Sequence, residues 1–295
     1  LGGRVPVAAM FNQFLTCWPD TAPNLFVRHE NLFNRYKKKI RLYVEKYIGI
    51  PIANKVDFFS FVSPSLKVMY EKFGIKKDDN NFVIGDLIDH KKIMQENGIA
   101  EDFYCKRNKK KGPFTIFYSS RMVPGKGFDL LLAGFSKLKN KDNFRLVLGG
   151  NGPEEHLIRK MVRDLNLESY VEMPGWMTKE ELYRRFGEQA DIFVQVGWRP
   201  EGTSVSLLYA MAFGVPSILP GGGGLEWQAQ KSALYVDNGD SDDLAQKIEK
   251  IAGSYSLREE LSRQCYVRLA EDEMNFKKNI SRLNEKMENL LKKRT

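Results

Sequence analysis

Cysteine and histidine are scarce in this 295-residue chain, with three of each. The cysteines, Cys17, Cys105 and Cys265, are odd in number and far apart. That excludes a disulfide framework and a cysteine-rich zinc site, and it points to a reducing, cytoplasmic setting. His29, His90 and His156 form no HExxH pair and no carboxylate-flanked cluster, which sets aside metal-assisted hydrolysis. No run approaches the roughly 18 apolar residues of a spanning helix, and the first residues lack the basic-then-apolar order of a secretory signal. Internal repeats and low-complexity tracts are also missing. With 42% hydrophobic residues and 12 prolines, what remains is ordinary globular composition, of a length suited to about two domains.

Acidic residues are outnumbered, 37 against 46 basic, for a net charge of +9. The imbalance belongs to residues 1 to 112, which hold 20 of the basic and only 12 of the acidic side chains. It concentrates in Arg35, Lys37, Lys38, Lys39 and Arg41 and again in Lys106, Arg107, Lys109, Lys110 and Lys111. Such a surface suits nucleic acid, anionic lipid or a phosphorylated substrate, and equally a solvated face with a charged linker. No recognisable nucleic-acid-binding module accompanies the basic runs, so no nucleic-acid partner is expected. Leu32, Phe33, Tyr36, Ile40, Tyr43, Val44 and Tyr47 share one helix face opposite the first basic run. An anionic membrane surface is therefore a candidate partner, and packing on a sheet accounts for the same stripe.

After Gly112 the pattern alternates. Strands are expected at Phe114–Ser119, Phe144–Leu148, Val171–Met173, Ile192–Val196 and Pro216–Leu219. Helices are expected at Phe128–Leu138, Pro153–Leu165, Lys179–Phe186, Ser204–Phe213 and Asp242–Ala252. Strands alternating with helices of about ten residues mean βαβ units and a doubly wound parallel sheet. Ligands of such sheets lie beyond the carboxyl ends of the strands, so loops starting at Ser120, Gly149, Gly197 and Pro220 are expected to face one crevice. Residues 1–105 are less regular. Strands at Val5–Phe11, Asp57–Val62 and Phe82–Ile84, with helices at Leu32–Tyr47 and Pro64–Phe73, make about half of a second Rossmann-like domain. A basic linker over 106–112 joins it to the domain at 113–275. A helix at Phe276–Lys292, within a terminal segment 276–295, carries Phe276, Ile280, Leu283, Met287, Leu290 and Leu291 as one apolar stripe that must pack on something.

Two loops carry chemistry. Ser119 to Gly127 follows a buried strand and precedes a helix, placing Arg121 and Lys126 at the sheet's carboxyl edge. There Arg acts as a fork, and Lys as a point charge, for a shared phosphate. Gly197 to Ser206 runs into the next helix. A Gly-Thr-Ser turn at a helix start is a cap, and it also offers free N–H groups to an anion. A GxGxxG is absent after every strand. Gly149 to Pro153 has turn glycines but lacks the third, and Glu154 and Glu155 would repel a pyrophosphate. Asp240-Ser241-Asp242 is formally a metal-binding DxD, but it directly precedes a helix, where Asp or Ser serves as N-cap.

In order, the motifs are Ser120-Arg121-Met122-Val123-Pro124-Gly125-Lys126-Gly127, Leu148-Gly149-Gly150-Asn151-Gly152-Pro153, Pro174-Gly175-Trp176, Ala190-Asp191-Ile192-Phe193-Val194, and Pro200-Glu201-Gly202-Thr203-Ser204 through Pro216. Colinear over Phe114 to about Ala252, they resemble the donor half of GT-B glycosyltransferases of retaining family 4. The resemblance implies a nucleotide-sugar-binding domain beside an incomplete acceptor-side domain. It implies transfer of a sugar from a UDP- or GDP-linked donor to a glycan or lipid-linked acceptor without a metal ion or other cofactor. Arg121 and Lys126 then neutralise the diphosphate, and Glu201 orients the donor sugar. Gly202, Thr203 and Ser204 hold the distal phosphate by their N–H groups, with Gly150 also on the donor side. The second Glu of the family's E-x7-E motif falls on Tyr209, which is either a ribose contact or an aromatic on a buried helix face.

The acceptor side is matched more loosely, by Val5-Pro6-Val7, Val56-Asp57 to Lys67, and Val83-Ile84-Gly85-Asp86-Leu87-Ile88-Asp89. Asn12 stands where the family has a histidine, with His29 as the nearby replacement. The domain's first strands and glycine-rich opening loop have no counterpart before Leu1. The chain therefore reads as part of a longer protein or as one with a reduced acceptor half. The departures at Tyr209 and Asn12 leave a second reading, a non-catalytic subunit that keeps the donor fold.

Overall fold

The computed structural model describes residues 8–11, 32–86, 88–107, 113–197, 201–237 and 239–292. The first part builds a small parallel sheet from β1 (Ala8–Phe11), β2 (Phe58–Phe61) and β3 (Phe82–Val83), in the order β1-β2-β3. Between β1 and β2 runs α1 (Leu32–Val44). A single π turn at Glu45–Gly49 follows, and then α2 (Ile50–Ala53). The expected helix ran unbroken to Tyr47. Pro51 has no N–H to offer the carbonyl four residues back, and the ladder slips just before it, Ile50 N–H donating to Glu45 O. After β2 comes α3 (Pro64–Phe73), with Pro64 at its first position, Ser63 capping Leu66 N–H and Gly74 closing its end.

Helices α4 (His90–Glu96) and α5 (Phe103–Arg107) follow β3. The large sheet then begins with β4 (Phe114–Ser119), α6 (Phe128–Ser136), β5 (Phe144–Gly149), α7 (Glu155–Asp164), β6 (Val171–Gly175), α8 (Lys179–Glu188) and β7 (Ile192–Val194). It continues through α9 (Val205–Ala212), β8 (Ser217–Pro220), α10 (Gly223–Ala229) and β9 (Ala233–Val236), and α11 (Ser241–Gly253), α12 (Tyr255–Ala270) and α13 (Phe276–Lys292) complete the chain. All six strands pair in parallel, in the order β6-β5-β4-β7-β8-β9. The chain winds outward from β4 to β6 and then returns to β7 on the other side of β4. The gap between the carboxyl ends of β4 and β7 is therefore the topological switch point, where such sheets hold ligands.

Burial explains the strands. In β4, Phe114, Ile116, Phe117 and Tyr118 are all buried, the near-continuous apolar run of a strand covered on both faces. Helices α6 and α11 pack on each other on one side, and α8 and α12 pack against α9 on the other. Phe117, Phe186, Phe193 and Phe213 meet in the core with centroids 4.9 to 6.1 Å apart. Burying each such side chain stabilises by about 2–3 kcal/mol. Cys265 lies in this core, and burial pushes its thiol up to about 12, leaving it inert.

Three expectations need correction. The core divides nearer residue 87 than 105, because Ile93, Ile99 and Tyr104 pack in the large cluster and Tyr104 Oη donates to Asp191 O at 2.8 Å. Lys106 also belongs to α5 rather than to a linker, the rest of which lies mostly outside the described residues. Helix α13 forms over the expected residues, yet its stripe is largely open: Phe276 is 37%, Ile280 38% and Leu291 48% exposed. What anchors it is Asn279, 1% exposed, whose amide donates to the carbonyls of Asp272, Glu273 and Asn275. Finally, α10, β9 and α12 carried no expectation. The inner face of α12 mixes Leu261, Cys265 and Leu269 with buried Arg258, Ser262 and Arg268, so its apolar stripe is diluted.

His90, at the start of α4, is buried, its Nδ1 finds no partner among the described residues, and its pKa is lowered by burial and then by Lys91. The native state thus holds it neutral, while the unfolded chain titrates at its ordinary 6.5. The unfolded state binds more protons below that value, so stability falls as pH drops through it. Between about pH 7.5 and about pH 5.5 the urea midpoint should fall, and His90→Gln should lessen the fall.

Candidate functional site

The loops after β4, β5, β7 and β8 converge at the switch point, as the alternation predicts. Lys126 and Glu201 meet there: Lys126 Nζ lies 3.0 Å from Glu201 Oε2, with both side chains largely shielded. Glu201 Oε1 is buried with no hydrogen-bond donor among the described residues, an acceptor open to a ligand hydroxyl. Tyr118, fully buried in β4, donates its Oη to Lys126 O at 2.8 Å and so holds the backbone that carries the lysine. Burial, reinforced by the Glu201 carboxylate, pushes the Tyr118 phenol well above its ordinary range, so it stays a donor. Arg121 stands exposed at the mouth of the same loop.

Close backbone approach creates this geometry. At Gly127, φ is +76°, and a Cβ would come within 2.3 Å of Val196 O, so the end of the Lys126 loop lies against the end of β7. At Gly224, a Cβ would come within 1.5 Å of Gly202 O, and its N–H donates to Glu201 O at 3.2 Å. The start of α10 thereby backs the turn that precedes α9.

That turn is supported from below by a buried polar network. Ser204 caps α9 through Leu207 N–H at 3.3 Å and donates its Oγ to Gln195 Oε1 at 2.8 Å. Its N–H donates to Gln228 Oε1 at 2.9 Å, and Gln228 Nε2 returns a bond to Ser204 O at 3.1 Å. The Ser204 amide is therefore occupied rather than free for a phosphate. Gly202 and Thr203 N–H, and those of Val205 and Ser206 in the first helical turn, donate to no described residue. Thr203 Oγ1 donates to Asp86 Oδ2 in the small domain at 2.6 Å.

Other expected residues lie elsewhere or differ in role. Gly150 supports the loops rather than presenting an open amide: its N–H donates to Gly175 O at 2.7 Å, and a Cβ would meet Ser120 O at 1.9 Å. Tyr209 is half-buried against the core, its ring edge-on to Tyr183 with centroids 5.0 Å apart. Asn12 and His29 lie outside the described residues. Asp240 is a cap, accepting from Asp242 N–H and Asp243 N–H, and no cluster of three or more metal-ligating side chains occurs among the described residues. Gln195, Gln228, Tyr118 and Asp86 carried no expectation. Of these, Asp86 alone had a signal, its place in the Val83 to Asp89 motif.

The family model described as glycosyl transferases group 1 matches residues 101–268, more than half of the chain. The chain belongs to this family. Among curated relatives, a Mycobacterium tuberculosis protein named GDP-mannose-dependent alpha-(1-6)-phosphatidylinositol monomannoside mannosyltransferase is 30% identical over 146 residues, 46% of this chain and 38% of that one. Mannosylfructose-phosphate synthase of Agrobacterium fabrum is 28% identical over 203 residues, 61% of this chain and 41% of that one. The matched stretch thus spans about two fifths of those relatives' length. Among solved structures, a glycosyltransferase from Rickettsia africae superposes with a TM-score of 0.70 at 18% identity, covering 97% of this chain and 70% of that one. Sucrose-phosphate synthase of Thermosynechococcus elongatus also gives 0.70, at 21% identity, over 85% and 62%. At those identities the likeness is one of fold, and the fold is GT-B.

The family turn depends on Gln228. Replacing it by leucine leaves Ser204 N–H buried and unpaired, which should cost about 1–3 kcal/mol. A thermal melt of Gln228→Leu against the parent measures this as a drop of several degrees, about 2–4 °C per kcal/mol.

Proposed function

We propose that the chain carries the donor site of a retaining glycosyltransferase, moving a sugar from a UDP- or GDP-sugar to a glycan or lipid-linked acceptor without a metal ion. The observation that carries this reading is the half-satisfied Glu201 carboxylate, ion-paired to Lys126 and set beside free amides at the switch point. The cation and amides favour a diphosphate, and Glu201 Oε1 accepts from a sugar hydroxyl. As the bond from the anomeric carbon to the diphosphate breaks, negative charge grows on the departing oxygen. Lys126, Arg121 and the α9 terminus stabilise that charge by preorganised electrostatics. The acceptor oxygen attacks the same face, and its proton passes to the departing phosphate oxygen. No side-chain base is needed, and Glu201 orients the sugar.

Calorimetry with UDP and GDP tests this. Lys126→Ala removes a charge-assisted contact and should weaken binding about tenfold or more, a loss of about 1.5–3 kcal/mol. Binding should persist in EDTA. Equal affinity in parent and variant would instead favour the non-catalytic subunit.

A lipid-borne acceptor is supported by α1 and the π turn beyond it. Tyr36 is 64% and Tyr43 63% exposed, in one surface with Ile40, Val44, Tyr47 and Ile48, and Lys39, Arg41 and Lys46 are exposed around it. An apolar face rimmed by cations suits an anionic membrane. No described helix is long and apolar enough to cross one. The chain should sediment with phosphatidylglycerol vesicles at low salt. Reversing Lys37, Lys38 and Lys39 to Glu should release it, each contributing about 1 kcal/mol. A parent left in the supernatant would point to a soluble acceptor.

A further inference from the structure

Asp86 follows β3 in the small domain, yet its carboxylate reaches the turn ahead of α9, where Oδ2 accepts from Thr203 Oγ1 at 2.6 Å. The two domains come this close because Gly85 lies on Trp227 of α10, where a Cβ would approach the indole ring to 2.9 Å. Beside this contact a cavity of about 320 Å³ is lined from both domains, by Lys67 and Phe82 on one side and Trp227 and Arg282 on the other. Asp86 forms no ion pair with any described residue. The acceptor side of the crevice thus presses a carboxylate that no described cation pairs against the turn whose Gly202 and Thr203 amides donate to no described residue.

The charge that meets this carboxylate changes during the proposed reaction. A distal phosphate bonded to the sugar carries one negative charge. Released as a terminal phosphate it carries close to two, its second pKa lying near about 6. Asp86 therefore repels the product more strongly than the donor, in a shielded crevice where screening is weak.

We propose that Asp86 is a specificity-determining residue that weakens binding of the nucleoside diphosphate product relative to the sugar-linked donor and so promotes product release. This rests on the donor-site reading above.

Calorimetry tests it on the whole chain with UDP and GDP, their monophosphates UMP and GMP, and UDP-glucose and GDP-mannose. Asp86→Asn keeps an acceptor for Thr203 and removes the charge. Diphosphate affinity should rise about five- to tenfold, sugar-linked forms about two- to threefold and monophosphates under about twofold, and the gain should shrink at high salt. Asp86→Glu should restore the parent's discrimination. A second arm varies pH: from about pH 7.5 to about pH 5.5 the terminal phosphate gains a proton, and the diphosphate gain of Asp86→Asn over the parent should shrink. Unchanged or weaker diphosphate binding in Asp86→Asn, equal tightening of every ligand, or a gain indifferent to pH each overturns the role of Asp86. A parent that binds none of the six ligands overturns the donor-site reading, and this proposal with it.

Discussion

Everything at the crevice depends on backbones touching where side chains are absent. Gly127 lies against Val196 O and Gly224 against Gly202 O, at distances that leave no room for a Cβ. These approaches bring the Lys126 loop, the Glu201 turn and the start of α10 into one small volume at the carboxyl edge of the sheet. The cation, the carboxylate and the free amides are near one another because three glycine-lined segments converge there. Local propensity, weak for a run such as Gly221 to Gly224, has no part in this.

The electrostatics follow from that crowding. Lys126 and Glu201 are paired and largely shielded, so each loses water and gains one partner. A pair held in that state is only half satisfied, since Glu201 Oε1 finds no donor among the described residues. Below it, Ser204 bonds both Gln195 and Gln228, so the turn is braced without a ligand. The site is stiff underneath and unsatisfied on top, an arrangement suited to binding charge as it develops.

The two domains meet where α3 packs on α10, and polar and aromatic contacts mark the join. Asp86 bonds Thr203, and Gly85 lies on Trp227, which is itself faced by Arg268 with the guanidinium 5.5 Å from the ring. Buried Arg268 also donates to Trp227 O and Gln228 O. A chain of contacts therefore runs from the small domain through α10 to the base of the turn before α9.

Parallel strands buried on both faces announce themselves as apolar runs, so β4, β5 and β7 and the helices between them were legible without coordinates, as were Arg121, Lys126 and Glu201 at strand ends. The signal failed where burial and polarity coincide. The inner face of α12 mixes leucine with arginine and serine, and α10 opens on Gly223 and Gly224 after two further glycines, so neither shows a clear period. The uncovered stripes of α1 and α13 show the converse: an apolar pattern states that a face needs a partner and not which one. Composition and spacing alone determined the doubly wound sheet, its carboxyl edge and the cations upon it, because these follow from local periodicity and chain order. Tertiary structure alone decided that Ser204's amide is occupied by Gln228, that Gly150 serves packing, and that Asp86 reaches Thr203. Each of those is a contact between segments distant in sequence, and neither partner's immediate neighbours carry any trace of the other.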